Sequence, residues 1–461
     1  MPSLKTGLSM LLGAGLLLGC AVATPPAQHE LMSLALGEKQ LPERWKNTQS
    51  PGTFDEQALG FAPDPALKTL ISEALQYNSD LRIAAARVDQ ARAALKAAGG
   101  PLLPALGVGL QTGDSTLPTS SMSVTGVGLV MNWEVDLWGR LRSEQAGSDA
   151  RYQSAALDRQ YSQQAIAAAV IRAWLGATEA TLQLELSRDM ARIADKQLQL
   201  MKVGQKVGRN TAQDVVLSQA ALAVYQNQLA GNELMLDQVK RALEVLLGRY
   251  PAAEVTTAGR FPVAQFTLPA GLPAELMSRR PDILAAEQRF RAAFQDQEVA
   301  KRARLPSLKL TGGVAYIEDT NIMLKSGIDN PLWGLSGQLL APIFTGGQLE
   351  AQLEAKTAKQ QEAIAQYSKA ALIAFNEVEG ALATERALSK RQNALQMQSD
   401  QLKKSFEFAQ IQKRVGKGDQ YQLLQQQLNW LGAQAGGLRV SSDRLANRVN
   451  LHQALGGHFS S

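Results

Sequence analysis

The sequence predicts a mainly helical protein that also carries membrane β-strands and is built from two tandem repeats. Three observations support this fold class: long proline-free runs with helical periodicity, pairs of stretches in which apolar and small residues alternate, and self-similarity between the two halves of the 461-residue chain. Each half carries two alternating stretches, so we expect four membrane strands in each protomer.

The longest regular stretch is a predicted helix over residues 140–207. No proline occurs between Pro118 and Pro251. Inside this run, small and apolar residues recur at alternating spacings of four and three, the heptad pattern of helices that supercoil left-handedly against neighbours. The positions of the first seam are Ile166, Val170, Ala173, Ala177, Ala180 and Leu184. At 1.5 Å per residue the helix is roughly 100 Å long, so we interpret it as the wall of a long tube.

Several residues recur at matching positions in the two halves of the chain. Asp80 matches Asp282 at an offset of 202, and Leu247-Gly248 matches Leu455-Gly456 at an offset of 208. This self-similarity indicates an internal duplication. The predicted organisation begins with a signal peptide (1–19) and a lipidated N-terminal segment (20–64) at mid-height of the helical tube. Repeat 1 (65–248: helix, β-hairpin, long helix, helix), a linker (249–272), repeat 2 (273–457) and a C-terminal tail (458–461) follow.

The alternating stretches predict strands that have lipid on one side and water on the other. In the first repeat Leu106, Val108 and Leu110 alternate with Gly107 and Gly109, and the other three stretches follow the same rule. An apolar face opposite a small or acidic face is typical of a membrane β-strand. The polar segments 112–121 and 318–331 are the expected hairpin loops. The alternative is a pair of soluble hairpins packed on helices.

Four strands do not close a barrel, and an open strand edge has no hydrogen-bonding partner in lipid. We therefore expect oligomerisation. Two protomers would supply eight strands, which is too narrow for a passage, whereas three supply twelve and a wider lumen.

The N-terminus predicts export and lipid attachment. Lys5 precedes an apolar run at residues 8–18, the pattern of a cleaved export signal. The run ends in Leu17-Leu18-Gly19-Cys20, which resembles the bacterial lipobox, and Cys20 is the only cysteine in the chain. The alternative is an ordinary signal with a chance cysteine. Ala21 rather than aspartate after the cysteine favours the outer membrane, by resemblance to bacterial lipoproteins.

Two turns are predicted at the end of the helical tube far from the strands. The first is Gly208 to Thr211, where Thr211 and Asp214 have the spacing of a capping box. The second is Val415 to Asp419. Helices 65–98 and 212–247 are each about half as long as helix 140–207, so we expect them to stack end to end beside it.

Composition argues against several other classes of protein. Three histidines and one cysteine make a metal site improbable, and the net charge of +5 is too diffuse to indicate a nucleic-acid partner. The sequence contains no paired His/carboxylate motif, phosphate loop or nucleophile elbow, so we expect no enzymatic activity and no cofactor. A non-channel coiled-coil lipoprotein is a further alternative, although it would have no use for the duplicated strands.

Four motifs resemble those of a known family. The segment Trp133 to Arg142 (WEVDLWGRLR) resembles the strand-to-helix motif of TolC-like outer-membrane factors. Leu268 to Pro273 (LPAGLP), Arg279 to Ile283 (RRPDI) and Pro342 to Gly347 (PIFTGG) resemble its lipoprotein branch, the OprM/NodT type. The resemblance covers roughly residues 61–457. It implies a homotrimer with a twelve-stranded outer-membrane barrel that is continued by a periplasmic α-helical barrel.

The resemblance also implies function and partners. We expect a palmitoylated outer-membrane lipoprotein that serves as the exit duct of a tripartite multidrug or solute efflux pump and contributes to antibiotic resistance. It would dock a periplasmic adaptor protein and an inner-membrane transporter of the resistance-nodulation-division type. The alternative is an outer-membrane factor for protein secretion or metal export. The identities of the cargo, pump and adaptor do not follow from the sequence.

The two turns carry the remaining site predictions. The expected adaptor-docking residues at this periplasmic tip are Gly208, Arg209, Thr211, Asp214, Gly416, Lys417 and Asp419. Arg209 and Arg414 are gate candidates, because pairs between neighbouring protomers would hold the tube shut. The alternative is that these residues only cap helices and complement helix dipoles. No gate residue is carried over from the family, since its charged tip residues do not align with this chain.

Overall fold

The computed structural model describes residues 22–36, 44–46, 65–117, 120–263, 273–319 and 331–459. The predicted signal, Cys20 and most of the segment that follows Cys20 therefore lie outside the described residues. The elements are α1 (Gln28–Leu36), α2 (Pro65–Tyr77), α3 (Ser79–Gly99), a 3-10 turn (Gly100–Leu102), β1 (Ala105–Leu117), β2 (Ser120–Val135), α4 (Arg140–Lys206), α5 (Ala212–Leu247), α6 (Pro273–Arg279), α7 (Pro281–Arg302), β3 (Ser307–Asp319), β4 (Leu332–Leu340), α8 (Gln348–Arg414) and α9 (Gln420–Ala454).

The chain forms two compact units, and α4 and α8 each run through both. The sheet unit comprises Met1–Lys39, Ala86–Asp158 and Asp282–Ala370, and the helical unit comprises Gln40–Ala85, Arg159–Pro281 and Ala371–Ser461. The two long helices have the same length, 67 residues each, at corresponding places in the two repeats.

The four strands form one antiparallel sheet in the order β1-β2-β3-β4. Its register places Val108, Leu129, Val314 and Trp333 side by side across the sheet. Because side chains alternate along each strand, this row belongs to one apolar face. That face is exposed: Val108 is 76% and Trp333 is 81% accessible. The two predicted hairpins are present.

The first hairpin is longer than the sequence predicted. Residues 112–117 and 120–121 continue the strands instead of forming the polar loop, because antiparallel pairing satisfies their backbone N–H and C=O groups. In the second hairpin, Glu318 and Asp319 also belong to β3, whereas residues 320–330 of the predicted loop lie outside the described part. β4 ends at Leu340, before Pro342, although Ala341 and Ile343 fit the alternation; proline has no N–H to donate to a ladder.

The core of the helical unit confirms the predicted heptad seam of α4. Val170 and Ala177 are fully buried, and so are Ala371, Ala374 and Val378 of α8. The apolar cluster around Trp174 joins α4 to three other helices of this unit. Its largest other members are Leu67, Leu70, Ile71, Ile171, Leu175, Leu243, Leu247, Leu445 and Val449.

One helix among the described residues, α4, is long and apolar enough to cross a membrane by length and composition alone. Half of its most apolar window is buried within this chain. Core helices satisfy the same criteria, and the buried seam of α4 is that of a core helix.

The prediction of a single helix over residues 65–98 is wrong, because the structure has two helices there, α2 and α3. Asn78 separates α2 from α3: its Oδ1 accepts the N–H groups of Asp80 and Leu81, and its Nδ2 donates to the carbonyl of Leu246 at 2.8 Å. Asn78 therefore caps the start of α3 and the end of α5 together, so these two helix ends lie next to each other.

Arg280 has the corresponding place in the second repeat. It separates α6 from α7, and its Nη1 donates to the carbonyl of Ala454 at 3.0 Å and to Glu377 Oε2 at 2.6 Å. Ala454 lies 208 residues after Leu246, the offset that relates the two repeats. The duplication is thus visible in individual hydrogen bonds.

The start of the linker is held by a buried carboxylate. Glu244, which is 2% exposed, accepts the N–H groups of Ala253 and Glu254 at 2.6 Å and that of Val255 at 3.0 Å. Burial raises the pKa of Glu244, but these three donors and Arg249 outweigh it and hold the pKa below its ordinary value of 4.5.

We expect Glu244→Gln to destabilise the fold by about 2 kcal/mol, since an amide replaces a charged acceptor of three N–H groups. Because the folded pKa is depressed, the contribution of Glu244 is complete above its unfolded pKa and is lost as pH falls through the folded value. Melting temperatures of both proteins should therefore begin to converge as the pH falls below the ordinary value of 4.5. A melting difference that stays constant from pH 7 to pH 3 would contradict this role.

Candidate functional site

The face of the sheet opposite the apolar one is lined by small and polar residues. On β1, a Cβ added to Gly107 or Gly109 would meet no atom within 4 Å. Farther along, Asn132 Oδ1 and Thr311 Oγ1 lie 3.2 Å apart across β2 and β3. Ser336 of β4 is the cross-strand neighbour of Thr311, so Asn132, Thr311 and Ser336 form one row across the sheet. This face is open and carries polar groups, so the sheet has the two unlike faces of a membrane barrel wall.

Charged residues lie on the same face where the strands meet the helices. Glu134 and Lys309 are cross-strand neighbours, but Glu134 Oε1 forms its ion pair with Arg140 Nη2 at 2.7 Å. The alternation predicts a small or acidic face and places Glu134 on it, but neither the ion pair with Arg140 nor the neighbouring Lys309 was predicted.

The start of α4 is fixed by the WEVDLWGRLR segment. Both carboxylate oxygens of Asp136 accept N–H groups of the first helical turn, from Leu141 at 3.0 Å and Arg142 at 3.1 Å. Trp138 Nε1 donates to the carbonyl of Pro306 at 2.7 Å, which ties the β2–α4 junction to the start of β3. The polar and aromatic residues of this motif therefore direct the chain from strand into helix.

The two predicted tip turns have the same backbone geometry. Gly208 and Gly416 have φ values of 74° and 77°, in the region that glycine adopts without strain. In each turn the residue after the glycine donates to a carbonyl five residues earlier: Arg209 to Gly204 at 2.8 Å, and Lys417 to Gln412 at 2.9 Å. Both long helices thus end in Schellman motifs, which explains the need for glycine.

The following helices begin differently in the two repeats. Thr211 and Asp214 form the predicted capping box: Asp214 N donates to Thr211 Oγ1 at 3.2 Å, and Thr211 N donates to Asp214 Oδ2 at 2.8 Å. These hydrogen bonds from Thr211 hold the pKa of Asp214 below its ordinary value. Asp419 occupies the N-cap position of α9, but its side chain makes no capping hydrogen bond.

The cations of the tips are exposed and form no ion pair with another residue in the described part of the chain. Of the ion pairs between described residues, none includes Arg209, Arg414 or Lys417. Ion pairs between neighbouring protomers, which would hold the tube shut, remain a prediction. Between the tips, α4 packs on α9 through an apolar cluster that includes Ile193 and Leu428.

Comparison with known proteins identifies the family. The family model described as outer membrane efflux protein matches residues 70–249 and again residues 272–457. The double match agrees with the predicted tandem repeats.

Relatives and solved structures agree with that match. The chain is 31% identical to the pyoverdine export outer membrane protein OpmQ of Pseudomonas putida, over 96% of this chain and 95% of OpmQ. It is 30% identical to the toluene efflux pump outer membrane protein TtgF of Pseudomonas putida, over 86% and 84%. The open-state MtrE outer membrane channel of Neisseria gonorrhoeae superimposes with a TM-score of 0.80 at 26% identity, over 91% and 96%.

These likenesses confirm the predicted fold class, mainly helical with membrane strands in two repeats. They also confirm the predicted resemblance to TolC-like outer-membrane factors and the location in the outer membrane. The chain belongs to the outer membrane efflux protein family.

Proposed function

We propose that three copies of this chain form the outer-membrane exit duct of an efflux pump. The observation that carries the proposal is the open four-stranded sheet, with one exposed apolar face, one polar face and two edges. Within the described residues, β1 pairs only with β2 and β4 only with β3. In lipid, each backbone group left unpaired along such an edge costs several kcal/mol.

Joining β4 of one protomer to β1 of the next removes the edges. Three protomers give twelve strands, with the apolar face toward lipid and the row of Asn132, Thr311 and Ser336 toward a water-filled lumen. The long helices α4 and α8, each roughly 100 Å, continue the passage into the periplasm.

The tip turns are the proposed docking site for a periplasmic adaptor that links the duct to an inner-membrane transporter of the resistance-nodulation-division type. Gly208 and Gly416 support this assignment, because both are exposed and a side chain at either would project into open space. The relatives named for pyoverdine export and toluene efflux favour small solutes over secreted proteins as cargo.

Planar bilayers test the duct directly. Purified protein should produce discrete conductance steps, and a strain that lacks the chain should lose efflux and regain it with the wild-type gene. As a docking variant, Gly208 and Gly416 replaced by Gln should keep the conductance steps but lose efflux and adaptor co-purification. Protein that inserts into bilayers without conducting would overturn the proposal.

Lipidation of Cys20 is part of the proposal. Cys20→Ser should abolish acylation, because serine cannot form the thioether, while the strands still insert through their own apolar band. Intact-mass measurement of the wild-type and variant chains decides. A mature wild-type chain that begins at residue 20 without added lipid mass would contradict the predicted anchor.

A further inference from the structure

The two tip turns carry a charge imbalance that capping does not explain. Residues 202–214 and 413–419 contain six cations but only two carboxylates, a net of four positive charges per protomer. The cations are Lys202, Lys206, Arg209, Lys413, Arg414 and Lys417, and the carboxylates are Asp214 and Asp419.

The helical turns that follow the two tips supply no compensation. Residues 215–232 at the start of α5 and residues 420–438 at the start of α9 contain no charged side chain. All six cations are exposed, and among the described residues none of them forms an ion pair. Asp214 already accepts two hydrogen bonds from Thr211. Even if both carboxylates formed ion pairs with a neighbouring protomer, four of the six cations would remain unneutralised by them.

On these observations, and resting on the proposed trimeric duct, we propose that the periplasmic tip is an electropositive constriction that favours anionic cargo. Three protomers bring six such turns to one ring, and a ring of like charge sets the ion preference of a narrow pore. The Debye length is about 10 Å at 0.1 M salt, so neighbouring turns act on the same passing solute. The favoured cargo class is small solutes that carry carboxylate, sulfonate or phosphate groups.

The chain offers a matched pair of variants for the test. Lys413-Arg414 and Lys390-Arg391 are both exposed Lys-Arg dipeptides on α8, separated by 23 residues, which is roughly 35 Å of helix. Lys413→Gln/Arg414→Gln removes charge from the tip, and Lys390→Gln/Arg391→Gln removes the same charge far from it. Glutamine has about the same helix propensity as lysine, so α8 should persist in both.

The reversal potential of trimers in a KCl gradient gives the chloride-to-potassium permeability ratio. We expect wild type to prefer chloride several-fold at low salt, the tip variant to lose most of that preference, and the control variant to keep it. The permeability ratio is the readout, rather than the current, because loss of ion pairs that hold the tube shut would also raise the current. A preference of wild type for potassium, or equal ratios for both variants, would overturn the proposal.

A second measurement does not depend on an open pore. Inorganic pyrophosphate should raise the melting temperature of wild-type and control trimers above that in KCl of equal ionic strength, and should raise that of the tip variant much less. Equal shifts in all three proteins would contradict an electropositive ring. Failure of the wild type to conduct, with a pyrophosphate shift confined to proteins with intact tips, would count against the duct and not against the ring.

Discussion

Arg280→Ala should destabilise the protein by about 2–3 kcal/mol, because it removes a buried guanidinium that donates to a partly exposed carboxylate and to a helix-end carbonyl. The guanidinium of Arg280 is 2% exposed and donates to both Glu377 and the last helical carbonyl of α9. Its loss leaves the carbonyl of Ala454 without this donor and removes the link between the α6–α7 break and the end of α9.

The adjacent arginine is the control. Arg279 pairs with Glu275 one helical turn away, 3.2 Å apart, and is more exposed than Arg280, so Arg279→Ala should cost less than Arg280→Ala. Arg280→Lys should lie between the two alanine variants, because lysine keeps the charge but not the fork of donors. Heat denaturation of the detergent-solubilised protein measures all three. Equal losses at positions 279 and 280 would show that the buried contact does not matter.

Gly248→Ala should be far more damaging than Gly208→Ala, although the two glycines have nearly equal φ values of 77° and 74°. Alanine pays a conformational cost of about 1–2 kcal/mol in this region at either site. At Gly248 the new Cβ would also lie 2.6 Å from the carbonyl oxygen of Tyr77, whereas at Gly208 no atom lies within 4 Å. The contact at Gly248 is with backbone, so α2 or the end of α5 must move.

Melting temperatures of the two variants separate these effects. The excess loss at position 248 should be about 1–3 kcal/mol, the range for overpacking a close contact. If both variants lose the same amount, backbone conformation alone explains the requirement for glycine, and the close packing of α5 on Tyr77 contributes nothing.

Most of the helical architecture follows from local signals in the sequence. The predicted helix 140–207 differs from α4 by one residue, because the glycine turn at Gly208 ends it. The predicted helix 212–247 has the same bounds as α5, because Thr211 and Gly248 cap its two ends. The break at Asn78 was missed, since residues on both sides favour helix. It requires the end of α5 nearby, which is information from tertiary structure.

The candidate site was predictable where it depends on backbone geometry. Gly208, Gly416 and the Thr211–Asp214 capping box have the predicted roles in the turns. The end of the first hairpin was not predictable, because polar threonines and serines suit a loop as well as the end of a strand pair. The charge imbalance of the tip was readable in the sequence, but its meaning required the finding that the cations form no ion pair with other described residues.

Native mass spectrometry of the full-length protein in mild detergent tests the central claim, that this sheet is completed by other copies of the same chain. We expect a dominant species of three chains, because only closure of the sheet into a barrel removes the edges of β1 and β4. A dominant monomer that still conducts in planar bilayers would contradict it.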